Sequence, residues 1–145
     1  MKKIIISFVI IAVNISCKTK INQYVKDENN ARKRHGKWEE VYIDNKDTLI
    51  TKGKYRRGEK VGIWKTLYQN KLYEKNRVGK KLTRVKRYFP DGTLMESGQT
   101  RLDISPKNYH WYYIGEWKYY SREGKLLYKK IYYKDQKADS ISFAR

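Results

Sequence analysis

Apolar and polar residues alternate along most of the chain beyond residue 35. Trp38, Glu40 and Tyr42 fall on one side of this alternation, as do Trp64, Thr66 and Tyr68. Leu49, Thr51 and Tyr55 share a side, with Lys52, Lys54 and Arg56 opposite. A period of two marks extended strands, whose side chains point to alternate faces. Turn signals break each run too soon for an amphipathic helix. Strand-like runs at 41–43, 67–68, 87–89 and 119–120 lead into Asp44-Asn45-Lys46-Asp47, Gln69-Asn70, Pro90-Asp91-Gly92-Thr93 and Arg122-Glu123-Gly124-Lys125. Proline presets φ near −65° and glycine accepts positive φ, so these are turns with a mechanism. Second strand-like runs follow at 48–55, 71–77, 94–98 and 126–133.

The runs repeat. Gly36-Lys37-Trp38 recurs as Gly62-Ile63-Trp64 and as Gly115-Glu116-Trp117. The first interval, 26 residues, is about half the second, 53, which leaves room for a degraded unit around Gly92. The unit is strand, tight turn, strand, turn, about four times over. Residues 99–113 read as an insertion. A single hairpin cannot bury its aromatic side, whereas stacked hairpins form one sheet with a shared row of Trp and Tyr. The expected fold is therefore all-β, an antiparallel meander of about four stacked hairpin repeats. Gly36, Trp38, Gly62, Trp64, Gly92, Gly115, Trp117 and Gly124 are its expected structural positions. The pattern resembles the MORN-like repeats of bacteria, over roughly residues 36–137. Such repeats often carry an antitoxin-like label. The resemblance implies a binding module, with neutralisation of a toxin as one form of it.

The N-terminus has another character. Met1-Lys2-Lys3 is a short basic start, and residues 4–13 are apolar apart from Ser7. That run is about half of the roughly 20 residues that span a bilayer, which favours a signal peptide over a transmembrane helix. It ends in Asn14-Ile15-Ser16-Cys17, which resembles a bacterial lipoprotein box of the loose kind found in Bacteroidetes. Cys17 is the only cysteine and stands where an acylated one must stand. The organisation expected is a signal peptide over 1–16, an acylated Cys17 with a polar tether over 17–34, and the MORN-like β-repeat domain over 35–145. Acyl chains on Cys17 would hold the protein at a membrane. Lys18 after the cysteine implies, by resemblance to Gram-negative sorting, the outer membrane.

Composition changes the picture in two ways. The 14 Tyr, 4 Trp and 3 Phe are too many for a disordered tail, despite 34% charged residues. The formal net charge of +19 attracts anionic surfaces. Arg56, Arg57, Lys80, Lys81, Arg84, Lys86, Arg87, Lys129 and Lys130 are the candidate anionic-surface contacts. Catalytic chemistry is not evident. His35 and His110 have no ligand at metal spacing, so neither a metal nor a cofactor is expected. Glu39 and Glu40 are adjacent and so face opposite ways on a strand. Asp44, Asp91, Asp103 and Asp135 fall at expected turns, where they bond to backbone. The expectation is a non-catalytic, lipid-anchored cell-envelope module that recruits or neutralises another protein. The alternative is a basic sheet lying on anionic lipid or acidic envelope glycan. Nucleic acid is not an expected partner of an exported chain.

Overall fold

The computed structural model describes residues 20–44, 47–105, 109–134 and 139–142. The signal peptide, Cys17 and the Asp135–Lys137 turn lie outside the described residues. The chain is all-β: β1 (Gln23–Lys26), β2 (Arg32–Asp44), β3 (Asp47–Arg56), β4 (Glu59–Tyr68), β5 (Lys71–Val78), β6 (Leu82–Tyr88), β7 (Leu94–Ile104), β8 (Tyr109–Tyr120), β9 (Leu126–Tyr132) and β10 (Asp139–Ser142). They form one ten-stranded antiparallel meander in sequence order. Every strand pairs with its chain neighbours, which is what short turns between strands permit.

Among the described residues, all the buried side chains lie on one face. Trp38, Tyr55, Trp64, Val85 and Trp117 are the buried apolar residues, joined by Glu96 and Thr100. The register places them together: Trp38 is opposite Gly53, Asn76 opposite both Trp64 and Val85, and Val85 opposite Gly98. Val85 thus occupies, in the degraded unit, the row that tryptophan fills elsewhere. We call this side the aromatic face. Edge-on contacts link Tyr24, Trp38, Tyr55 and Trp64, with ring centroids 5.2, 5.5 and 5.0 Å apart.

The Gly-x-Trp motif has a specific geometric role. Lys52 pairs with Lys65 and Lys54 with Val61, so Gly53 alone faces Gly62, Ile63 and Trp64. Ser97 pairs with Lys118 and Gln99 with Ile114, so Gly98 alone faces Gly115, Glu116 and Trp117. Three residues against one is a bulge, and the positive φ of Gly62 and Gly115 (both 70°) allows it. The bulge tips each tryptophan over the opposing glycine. A Cβ on Gly53 would stand 2.1 Å from the Trp64 ring, and one on Gly98 2.2 Å from Trp117. Gly36 is also at positive φ, and Gly92 and Gly124 sit with positive φ in turns.

Three elements differ from the sequence reading. Part of the segment read as a tether forms β1 and the start of β2. Asp27 turns the chain by accepting the backbone N–H groups of Asn29 and Ala31 through its side chain (3.0 and 2.9 Å). Asn22 brackets the backbone of Glu39 with its own amide, and Tyr24 packs on Trp38. The β1–β2 ladder, these side-chain bonds and the Tyr24–Trp38 contact together dock a stretch that has no apolar period. The second difference lies in residues 99–104 and 109–113, which pair with one another in the β7–β8 hairpin. The third is Asp103, which lies within β7, not at a turn.

Asp103 accepts hydrogen bonds from Lys134 (2.8 Å) and Tyr112 (3.0 Å) and pairs with Arg101 (2.9 Å). The bonds from Lys134 and Tyr112 hold its carboxyl down to about 2. A depressed carboxylate stabilises the fold above the unfolded value near 3.8, and the contribution is lost as pH falls towards 2. Replacing Lys134 with glutamine is expected to move the Asp103 midpoint upward towards the ordinary carboxylate range. Side-chain carboxyl NMR over pH 1.5–6 would read this, and an unmoved midpoint would remove Lys134 as its main cause.

Candidate functional site

The aromatic face is polar as well as apolar, and Glu40, Glu74 and Glu96 on it are each paired with a cation. Glu74, Arg87 and Glu96 stand side by side in one cross-strand row. Arg87 binds Glu74 through Nε at 2.7 Å, binds Glu96 through Nη1, and donates to the Tyr113 hydroxyl at 2.9 Å. Burial pulls the Arg87 guanidinium down, but the bonds to Tyr113, Glu74 and Glu96 outweigh it and hold the group charged. At the other end of the face, Glu40 receives bonds from Arg34, Tyr55 and Lys60. Burial pushes its carboxyl up, while Tyr55 and Lys60 more than offset this and leave it below the usual range. Glu39 lies on the opposite face, paired with Lys52 at 3.0 Å.

One part of the aromatic face is open. Beyond the Leu82–Arg101 pair, β7 has no β6 partner, and β8 pairs with β9 only from Gly115 onward. Leu102, Ile104, Tyr109 and Trp111 therefore project on a two-stranded tip, 48, 67, 78 and 53% exposed. Leu102 opposes Trp111, and Ile104 opposes Tyr109. Trp111 meets Tyr113 edge-on at 5.3 Å, and Tyr113 stacks on Trp117 at 4.0 Å. A continuous aromatic series thus runs from the buried core out to solvent.

The opposite face is basic and regular. Glu39 pairs with Lys52, Lys52 with Lys65, Lys65 with Lys75, Lys75 with Lys86, Lys86 with Ser97, Ser97 with Lys118, and Lys118 with Lys129. Cross-strand partners point to the same face, so this is a single row of lysines crossing the sheet. Its ends are met by carboxylates: Glu39 bridges Lys52, and Glu116 bridges Lys118 and Lys129 at 3.4 and 3.0 Å. Lys65, Lys75 and Lys86 form no ion pair among the described residues. Arg77 and Arg84, themselves a cross-strand pair, run beside them.

The nine basic residues picked from sequence do not form one patch. Arg84, Lys86 and Lys129 lie on the lysine face, and Arg56 is at its margin at the end of β3. Arg57, Lys80 and Lys81 are exposed in turns. Lys130 is on the aromatic face, 5.7 Å from the ring centres of Tyr119 and Tyr128. Arg87 is enclosed between two carboxylates. Sequence reasoning missed Lys52, Lys65, Lys75 and Lys118. A signal was present: the residue after each core position (Trp38, Trp64, Val85, Trp117) is Glu39, Lys65, Lys86 and Lys118.

Beside the centre of the row, the ends of β5 and β6 and the adjoining turns enclose an open hollow of about 240 Å³, lined by Leu72, Tyr73, Tyr88, Phe89, Pro90 and Met95 among others. Among the described residues no group of three His, Cys, Asp or Glu side chains is placed to hold a metal ion. No family model, no curated protein and no solved structure matches this chain.

Proposed function

We propose that this chain is a non-catalytic binding module of the cell envelope, anchored by lipid on Cys17 and recruiting another envelope protein through its sheet. The observation that carries the reading is the projecting β7–β8 tip. Tyr and Trp dominate the energetics of protein interfaces, and a clustered exposed apolar patch rimmed by polar residues suits a partner. Arg101 and Asp103 alternate with Leu102 and Ile104 and make the other face of the tip polar. The repeats, the lipoprotein-box resemblance and the MORN-like pattern agree with a tethered adaptor or inhibitor.

The test is a cross-linking pull-down of the anchored full chain from its native membrane, at low and high salt, beside a Tyr109→Ser/Trp111→Ser variant. One discrete protein is expected from the parent at high salt and a loss of at least about tenfold from the variant, since each anchor is worth about 1–2 kcal/mol or more. Both residues are more than half exposed, so the variant is expected to melt with the parent. Recovery of nothing above background from the parent would remove the reading. The lysine row supports the second reading, a basic sheet held against anionic lipid or acidic envelope glycan.

A further inference from the structure

We infer that the lysine face binds a linear anionic glycan of the uronic-acid kind, laid across the strands along Lys52, Lys65, Lys75, Lys86, Lys118 and Lys129. This rests on the second reading above and chooses one ligand within it.

The row works against the fold that carries it. Like charges directly opposite each other destabilise a sheet, and here Lys52, Lys65, Lys75 and Lys86 are four in succession. On the aromatic face, by contrast, Glu74, Arg87 and Glu96 alternate in sign along their own row. Carboxylates also cap both ends of the lysine row. The centre of the row is thus uncompensated, with the Arg77–Arg84 pair beside it adding to its positive charge, and an anionic ligand is what would balance it.

Spacing narrows the ligand. Adjacent strands stand about 4.8 Å apart, so the row offers one ammonium group per strand at that interval from β3 to β6 and, past Ser97 on β7, again from β8 to β9. A uronic-acid polymer carries one carboxylate per sugar, and each extended pyranose advances by about one strand spacing. Lysine supplies compact point charges without the planar fork that makes arginine the better bidentate partner of phosphate.

Shape separates a polymer from a membrane. Neighbouring antiparallel strands usually twist by about 20–25°, so over the six steps from Lys52 to Lys129 the side-chain direction turns by more than about 100°. A planar bilayer would meet only part of such a row, whereas a flexible chain can follow it. The hollow beside the row separates a glycan from a plain polyanion. Tyr73 stands two residues from Lys75 and Tyr88 two from Lys86, and both line it. An aromatic wall suits the apolar face of a sugar ring. Nucleic acid would instead use a succession of exposed aromatics, one per base, and the aromatics of this sheet are gathered mainly on the other face.

The full chain in detergent micelles would be tested on immobilised polygalacturonate, on polyglutamate, on phosphatidylglycerol vesicles and on oligo-dT. The parent is expected to prefer polygalacturonate, with binding that weakens steeply as salt rises. Lys65→Gln/Lys75→Gln/Lys86→Gln is expected to bind at least about tenfold more weakly, given the roughly 1 kcal/mol per basic residue near an anionic surface. Lys20→Gln/Lys26→Gln/Arg57→Gln, with the same change in charge away from the row, is expected to lose less than about twofold on that scale. The row variant is expected to melt at or above the parent temperature, because opposed like charges have been removed. Equal losses in the two variants would overturn the proposal, leaving net charge as the cause. Equal retention on polyglutamate, or tighter binding to oligo-dT, would also overturn it. Tighter binding to vesicles would overturn it while leaving the anionic-surface reading standing; no binding to any of the four would end both.

Discussion

Replacing Trp117 with alanine is expected to destabilise the protein by about 3–5 kcal/mol, as for large aromatic side chains in cores. Trp117 is fully buried. Its ring lies over Gly98, is stacked by Tyr113 at 4.0 Å, and meets Tyr132 edge-on at 6.3 Å. Its indole N–H donates to the Gln99 carbonyl at 2.9 Å. Removing the ring opens the bulge and leaves the Tyr113–Tyr132 pair without a floor. A single-layer sheet has no second layer that could collapse into the gap. Against a total stability of 5–15 kcal/mol for ordinary domains, the loss is a large fraction, and a fall in Tm of about 10 °C or more should follow. Thermal and urea melts of the full chain would measure it. A Trp117→Ala protein that melts within a degree or two of the parent would show that the bulge does not hold the sheet. Gly98→Ala approaches the same contact from the other side, since its Cβ would press into the ring.

Arg87→Met is expected to cost about 3 kcal/mol, near the lower end for breaking a buried ion pair. The methionine keeps much of the apolar stem, so most of the loss comes from stranding Glu74 and Glu96. Those side chains are only 19 and 11% exposed. They stand on the two strands flanking Arg87 and would face each other across its empty position. Charge, not packing, is the proposed cause, and a compensating variant separates the two. Glu74→Gln/Arg87→Met/Glu96→Gln is expected to recover more than half of the loss in urea melts, because replacing a whole buried ionic group is often neutral. If the triple variant is as unstable as Arg87→Met alone, the guanidinium acts through packing and the electrostatic account fails.

These two residues also show what a one-dimensional reading reaches. Trp117 was legible as structural because Gly-x-Trp recurs at related intervals before turn sequences. The bulge that gives the motif its purpose was not. It depends on Gly53 and Gly98, which lie on the partner strands and carry no local mark of their role. From sequence, Arg87 belongs to a basic set with Arg84 and Lys86. Strand alternation alone places Arg87 on the other face from those two, but its enclosure by Glu74 and Glu96 needs two neighbouring strands in register. The Tyr109 and Trp111 tip reads as an insertion from sequence because nothing local distinguishes a long hairpin from an extra loop. Residues 23–26 read as tether because the stretch has no apolar period; their docking comes from pairing with β2, from the Asn22 and Asp27 side chains and from Tyr24 on Trp38.

By itself, the sequence determined the all-β class, the antiparallel meander, most turn positions and the tryptophans of the buried face. Those follow from local rules: a period of two, turn residues with defined φ preferences, and aromatics too numerous to leave solvated. Only the tertiary structure decided the rest. It seated each bulged tryptophan on a glycine, enclosed Arg87, freed the β7–β8 tip and aligned the lysines of separate strands into one row. Register is the physical reason. A shift of one residue sends every side chain of a strand to the other face, and register is fixed between strands rather than within them.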